Sequence, residues 1–198
     1  MVLDINLISG YSFLLLGILV VVRNIRYKRY YDLFWFCDFS LFLFAIGFIT
    51  NNLQIIKSII NIGLISQVAT FIGLLIYHSN ELSSSAGRRA FMKKKFYSTI
   101  ELLIHITVIY ALVITYNVAP MAKSLIYSMI IIVAMLIGTR LFTPIKENVN
   151  AVYSTKVPFG SKSVTFNLPL NAYLWMVYLF ILSLLSFLIQ YLIYIYTS

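Results

Sequence analysis

The chain has 198 residues, of which 61% are hydrophobic and 11% are charged, and its mean hydropathy is +0.92. Soluble domains have about a quarter of their residues charged, so this composition excludes an ordinary soluble domain. It predicts one integral membrane domain over residues 1–198. Lys and Arg number 15 against six Asp and Glu. Because these cations cluster between apolar runs, they favour contacts with anionic lipid headgroups over nucleic-acid binding.

Six apolar runs are long enough to cross a membrane as helices. A hydrocarbon core about 30 Å thick requires about 20 residues at a rise of about 1.5 Å each. Lipid cannot satisfy the unpaired backbone groups of an open sheet, so the predicted fold is an all-α polytopic membrane bundle. The predicted spans are 5–22, 31–50, 55–77, 97–116, 121–142 and 170–196. Asp4 lies where a signal peptide has basic residues, so no cleaved leader is expected.

The connections that follow spans one, three and five are basic. They are predicted to hold 13 of the 15 cations, with Lys57 and Lys123 on the opposite side. Cationic loops stay on the cytoplasmic side of a membrane. With six spans, both termini are therefore predicted to be extracytoplasmic, and we expect the cell (plasma) membrane as the location.

Span two contains an unusual pair, Cys37 followed by Asp38. Counted inward from Tyr31 at about 1.5 Å per residue, both lie about 10 Å deep in the cytoplasmic leaflet. A charge at the centre of a membrane helix costs about 2.5–3.5 kcal/mol on insertion scales, so Asp38 requires a partner. The nearest groups in predicted depth are Arg140 and His105.

Spans three and six each carry small and polar residues at spacings of three and four, which place them on one helix face. Such residues mark helix contacts in lipid. A polar pore lining is the alternative. The predicted stripes are Gly63, Ser66, Gln67, Thr70 and Gly73 in span three, and Ser183, Ser186 and Gln190 in span six.

Span four carries Glu101 and His105, which share a helix face because they are four residues apart. The carboxylate is placed to fix the tautomer of the imidazole. Together with Asp38 and Arg140 they form a predicted intramembrane polar network. A catalytic alternative uses Cys37 as a thiol nucleophile, His105 as its base and Glu101 to orient the base.

No metal site or cofactor is predicted. His78 and His105 are on different helices at different predicted depths, which disfavours a haem. The connection over 143–169 contains the alternating piece KSVTF, and its alternatives are a surface loop, a short hairpin or a docking site for another protein.

These patterns leave three functions open. The first is a non-catalytic subunit or accessory component of a larger membrane complex, whose polar layer serves helix packing and whose partners are other membrane subunits. The second is an inner-leaflet acyl-transfer enzyme that uses Cys37 and His105. The third is a small transporter or channel. Catalysis is the less favoured reading, because a free cysteine in an apolar helix is ordinarily a buried packing residue.

The segment CDFSLFLFAIGFITN, from Cys37 to Asn51, resembles the second span of the YwaF-like family of small six-helix bacterial membrane proteins. That family is similar in turn to membrane-embedded acyltransferase-like proteins of animals. The resemblance rests on the Cys37–Asp38 pair and the closing Thr50 and Asn51, with a counterpart for the family histidine in His105. A weaker similarity to the same family covers KENVNAVY at 146–153. Where the family usually has a histidine two residues before the cysteine, this chain has Trp35.

Overall fold

The computed structural model describes residues 4–83, 85–144, 156–159, 162–165 and 172–197. In these ranges it is a bundle of six α-helices, which confirms the predicted all-α membrane fold. The helices are α1 Ile5–Arg26, α2 Phe36–Ile49, α3 Leu53–Ser83, α4 Ser85–Ile114, α5 Ala122–Phe142 and α6 Ala172–Thr197. All except α2 contain a stretch long and apolar enough to cross a membrane.

The second predicted span differs most from the structure. Instead of one helix over 31–50, a short 3-10 helix at Tyr30–Phe34 is followed by extended backbone at Trp35 and then by α2, which has only 14 residues. The apolar pattern runs through Trp35, so hydropathy alone does not detect the break. As a result, Cys37 and Asp38 lie in the first turn of α2 and not several turns inside a longer helix.

Two helices run past the predicted membrane boundary on the basic side. The 31 residues of α3 and the 30 of α4 are each about 45 Å long at about 1.5 Å per residue, whereas the hydrocarbon core is about 30 Å thick. Between α5 and α6, β1 Lys156–Phe159 and β2 Lys162–Thr165 pair antiparallel with Val157 opposite Val164. The connection therefore contains a short hairpin, which is one of the three alternatives that the sequence left open. The segment 146–153 lies outside the described residues.

Helix α3 is central to the bundle, since it packs against α2, α4, α5 and α6, and α1 packs mainly on α2. The contact between α1 and α2 is aromatic. The Phe13 ring stacks on Phe44 at 4.9 Å and on Phe48 at 5.5 Å between centroids, and all three side chains are buried. This packing brings the end of α1 next to the start of α2.

Glycine permits the close approach of α1 to α2. A Cβ added at Gly10 would lie 2.6 Å from Ile49 Cγ1 and 3.0 Å from the Ile49 backbone nitrogen. We expect Gly10→Val to lower the free energy of unfolding by about 1–3 kcal/mol, because the added carbons overpack the contact. Gly138→Val is the control: a Cβ there meets no atom of the described residues within 4 Å, so the change should stay within about 0.5 kcal/mol. Unfolding in detergent measures both, and equal effects would contradict the described α1–α2 contact.

Candidate functional site

A buried ion pair joins the last turn of α1 to the first turn of α2. Arg23 Nη2 lies 2.7 Å from Asp38 Oδ2, and each side chain is 3% exposed. Asn24 Nδ2 donates to the same oxygen at 2.9 Å, and Arg23 Nε donates to Asn24 Oδ1 at 2.9 Å. We call these three residues the Arg23 cluster. Its cation at a helix C-terminus and its anion at a helix N-terminus both suit the helix dipoles.

This geometry corrects the predicted partner of Asp38. The predicted depths in the membrane favoured Arg140 or His105 as the partner of Asp38, but in the structure Asp38 pairs with Arg23. The prediction failed because α1 extends four residues beyond its predicted end at Val22, so Arg23 belongs to the helix and not to the following connection. Arg140 lies in the last turn of α5.

A second ion pair lies beside the first, in the connection between α1 and α2. Arg29 Nε is 2.6 Å from Asp32 Oδ2, and Tyr97 at the start of the α4 span donates to that oxygen at 3.4 Å. The Arg23 guanidinium lies over the Tyr97 ring at 4.8 Å. Burial raises the pKa of Asp32, against the lowering effect of Arg29 and Arg23. Tyr97 therefore links α4 to both ion pairs.

Glu101 and His105 lie further along the same face of α4. Glu101 is within electrostatic reach of Arg23, Arg29 and His78, so it belongs to the same charged layer. His105 is 7% exposed, and its Nδ1 makes no hydrogen bond to any residue that the structure describes. Glu101 thus belongs to the charged layer around Arg23, but it makes no hydrogen bond to His105 Nδ1 that would fix the tautomer of the imidazole.

Cys37 is half-buried and packs against the apolar core. Its Sγ lies 3.8 Å from Asp38 Oδ1 with the thiol as donor. A nucleophilic cysteine must instead give its proton to a base. Within the described ranges, no hydrogen bond connects Cys37 to His105. The described residues show no hydrogen bond among Cys37, His105 and Glu101, and the catalytic role of these residues stays a prediction.

A second polar layer lies toward the other end of the bundle, between α3, α5 and α6. Asn61 Nδ2 is 3.2 Å from Ser124 Oγ and 3.3 Å from Ser128 Oγ, and Gln190 Nε2 donates to Asn61 Oδ1 at 2.6 Å. Lys57 lies one turn before Asn61 on α3 and is 0% exposed. We call these five residues the Lys57 cluster.

The start of α3 also holds the turn between α4 and α5. Lys57 Nζ donates to the Thr115 carbonyl at 2.6 Å, just past the end of α4. Gln54 Nε2 donates to the Ala119 carbonyl at 3.1 Å, and Gln54 Oε1 accepts from the Met121 backbone N–H at 3.0 Å. A cation at a helix C-terminus is favourable, so Lys57 has a structural role as a cap for α4.

The predicted packing stripe of α6 is buried throughout, whereas that of α3 is buried only in part. Ser183, Ser186 and Gln190 are all buried in the bundle. On α3, Gly63 and Gln67 are buried, whereas Ser66, Thr70 and Gly73 are only half-buried.

Sequence reasoning missed Arg23 and Lys57 because both were counted as topology signals. A signal was present for Lys57: it lies inside an apolar run and is four residues from Asn61, which predicts one polar helix face. For Arg23 the sequence offers no comparable signal.

In the part of the chain that the structure describes, no group of three or more His, Cys, Asp or Glu side chains is placed to hold a metal ion. No family model, curated protein or solved structure matches the chain. The resemblance to the YwaF-like family therefore stays a prediction.

Proposed function

We propose that this protein is a non-catalytic subunit or accessory component of a larger membrane complex, and that it contacts its partner through the outer face of α5. The observation that carries the proposal is Gly138. A Cβ added at Gly138 would meet no atom of the described residues within 4 Å, whereas one added at Gly10, Gly17, Gly47 or Gly63 would lie 3.0 Å or less from a neighbouring side chain. Within the part of the chain that the structure describes, no helix therefore lies against Gly138, although a glycine permits close contact between membrane helices.

The surroundings of Gly138 support this assignment. Ala134 precedes it by four residues and is exposed, so the two form a small-xxx-small pair on one face. A shallow groove, lined only by apolar surface, runs along the same helix beside the pair. Its lining residues are Met129, Ile130, Val133, Ala134 and Ile137. Small residues of this kind allow close packing of helices in lipid, where no hydrophobic force brings helices together.

The proposed occupant is a transmembrane helix of another protein that has small residues at the same depth. A second copy of this chain is the less suitable occupant because of charge. The formal net charge is +9, and most of the cations are predicted to lie on the cytoplasmic side, so two copies would bring these basic connections together. A partner with acidic cytoplasmic segments complements them, and anionic lipid headgroups do so where no protein contacts them.

The interior is consistent with a packing role for the polar residues. The side chains of the Arg23 cluster and the Lys57 cluster bond chiefly to one another and to backbone carbonyls. Six crossing helices would place both termini on one side, and the basic connections favour the extracytoplasmic side of the cell membrane.

The test compares two substitutions on α5. Gly138→Leu fills the contact, whereas Ala122→Leu adds a similar bulk at an exposed position four turns away on the opposite face. The measured quantity is the amount of partner that co-purifies with the protein from its own membrane. We expect this amount to be at least tenfold lower for Gly138→Leu than for the wild type, and to be unchanged for Ala122→Leu. Equal recovery of the partner with both variants would contradict docking on α5.

A further inference from the structure

Arg26 is the last residue of α1, and its side chain is exposed. Its guanidinium carbon lies 5.9 Å from the centroid of the Phe96 ring on α4. The guanidinium groups of Arg23 and Arg29 lie over the neighbouring Tyr97 ring, at 4.8 and 5.2 Å. Three arginines from α1 and the connection after it therefore converge on two adjacent aromatic residues of α4.

The charge of Arg26 is not compensated in the way that the charges of the other two arginines are. The ion pairs in the described ranges neutralise Arg23 and Arg29, and neither includes Arg26. Lys95 is the last cation before the apolar part of α4 and directly precedes Phe96, so it adds positive charge beside that ring. Among the described residues, Arg26 is thus an exposed cation without a carboxylate partner.

The aromatic residues around Arg26 place it at the level of the lipid headgroups. Tyr27 and Tyr30 follow Arg26 in the chain, and Tyr30 is 53% exposed. The Tyr27 ring packs edge-on against Tyr97 of α4, with 5.3 Å between centroids. Tyrosine side chains collect at the boundary between hydrocarbon and water. The guanidinium of Arg26 is therefore level with the phosphates of the surrounding lipid.

An exposed apolar stripe runs along α1 from Arg26 toward the middle of the membrane. Ile18, Val22 and Arg26 are spaced by four residues, so they lie on one helix face. Ile18 is 50% exposed and Val22 is 48% exposed, and Phe96 under the guanidinium is 39% exposed. We call Ile18, Val22, Arg26 and Phe96 the Arg26 edge. It presents a cation at headgroup level and apolar surface directly below it.

A phospholipid has both of the groups that the Arg26 edge requires. The planar guanidinium donates two parallel N–H bonds to a phosphate, and its contact with the Phe96 ring restricts its orientation before binding. The acyl chain covers the apolar stripe, which an acidic protein segment would not match. A zwitterionic headgroup brings its own cation beside the phosphate, so an anionic headgroup is attracted more strongly.

We propose that the Arg26 edge binds one anionic glycerophospholipid, whose phosphate accepts hydrogen bonds from Arg26 and whose acyl chain lies along Val22 and Ile18. No residue of α5 takes part, so this inference does not depend on the proposed docking.

The first test is native mass spectrometry of the protein in detergent, titrated with phosphatidylglycerol or with phosphatidylcholine of the same acyl chains. Lys28→Gln is the control for Arg26→Gln, because Lys28 is also exposed and lies two residues further along the same connection. We expect Arg26→Gln to weaken phosphatidylglycerol binding about fivefold or more and Lys28→Gln to weaken it less than about twofold. Equal losses, or equal binding of the two lipids by the wild type, would overturn the site.

Two competitors in the same titration supply negative charge without an acyl chain. They are glycerol 3-phosphate, which resembles the headgroup alone, and a hexaglutamate peptide, which resembles an acidic protein segment. We expect neither to displace phosphatidylglycerol from the wild type at about tenfold molar excess, because neither covers the apolar stripe. Displacement by either compound would overturn the lipid as the occupant of the Arg26 edge.

The second test uses the unaltered protein, so a misfolded variant cannot mislead it. Phosphatidylglycerol with a photoreactive diazirine in its acyl chain labels the residues that the chain touches, and mass spectrometry of the peptides locates the label. We expect Ile18 and Val22 to be labelled in preference to Val177 and Ile181 of α6, which are similarly exposed at 52% and 49%. Equal labelling of the two helices would overturn the site.

Discussion

Replacing Asp38 with alanine is expected to lower the free energy of unfolding by about 3–5 kcal/mol, the largest effect of any single substitution considered. Removal of one partner from a buried ion pair leaves the other charge uncompensated, which typically costs about that amount. Arg23 is 2% exposed and would retain only its bond to Asn24 and its contact with the Tyr97 ring. Reversible unfolding in detergent micelles measures the change.

Cys37→Ser is the matched control, because it changes the adjacent residue in the same helical turn by a single atom. We expect that control to cost less than about 1 kcal/mol. Removing both charges together, as Arg23→Met with Asp38→Leu, should recover most of the loss, since a buried pair can often be replaced by apolar residues without penalty. An Asp38→Ala protein as stable as Cys37→Ser would contradict the buried pair.

Asn61→Leu is expected to lower the free energy of unfolding by about 2 kcal/mol. Asn61 bonds to Ser124 and Ser128 on α5 and to Gln190 on α6, and hydrogen bonds between membrane helices average about 0.6 kcal/mol each. Leucine has the same side-chain branch point and the same number of heavy atoms as asparagine, so the change removes the hydrogen bonds while it largely keeps the shape of the side chain. The loss would appear as separation of α3, α5 and α6 at a lower denaturant concentration than in the wild type.

Ser183→Ala provides the comparison for this variant. Ser183 is also fully buried, but its hydroxyl bonds only within α6, to the Leu179 carbonyl. Its removal should cost less than about 1 kcal/mol. If Asn61→Leu and Ser183→Ala were equally stable, the hydrogen bonds of Asn61 would not hold the three helices together.

The fold was predictable from sequence because the requirement for it is simple. Each apolar run must pair its backbone groups internally in lipid, so it must be helical whatever its neighbours are. The ends of the helices were less predictable. The break at Trp35 and the continuation of α1 through Arg23 depend on tertiary contacts, which a hydropathy pattern does not contain.

The candidate site was predictable only in part. Asp38 was expected to need a buried partner, and it has one. The identity of that partner depends on which helix ends are adjacent, and this follows from the packing of α1 on α2. Lys57 shows the opposite case: its position in an apolar run was visible in the sequence, but the loop-charge rule assigned it to the surface.

We propose that the protein is part of a larger membrane complex. Native mass spectrometry of the wild-type protein, extracted gently from its own membrane, tests it most directly. We expect a defined assembly that contains at least one different chain and that is lost in Gly138→Leu but kept in Ala122→Leu. A monomer or a homo-oligomer that carries only lipid would contradict it.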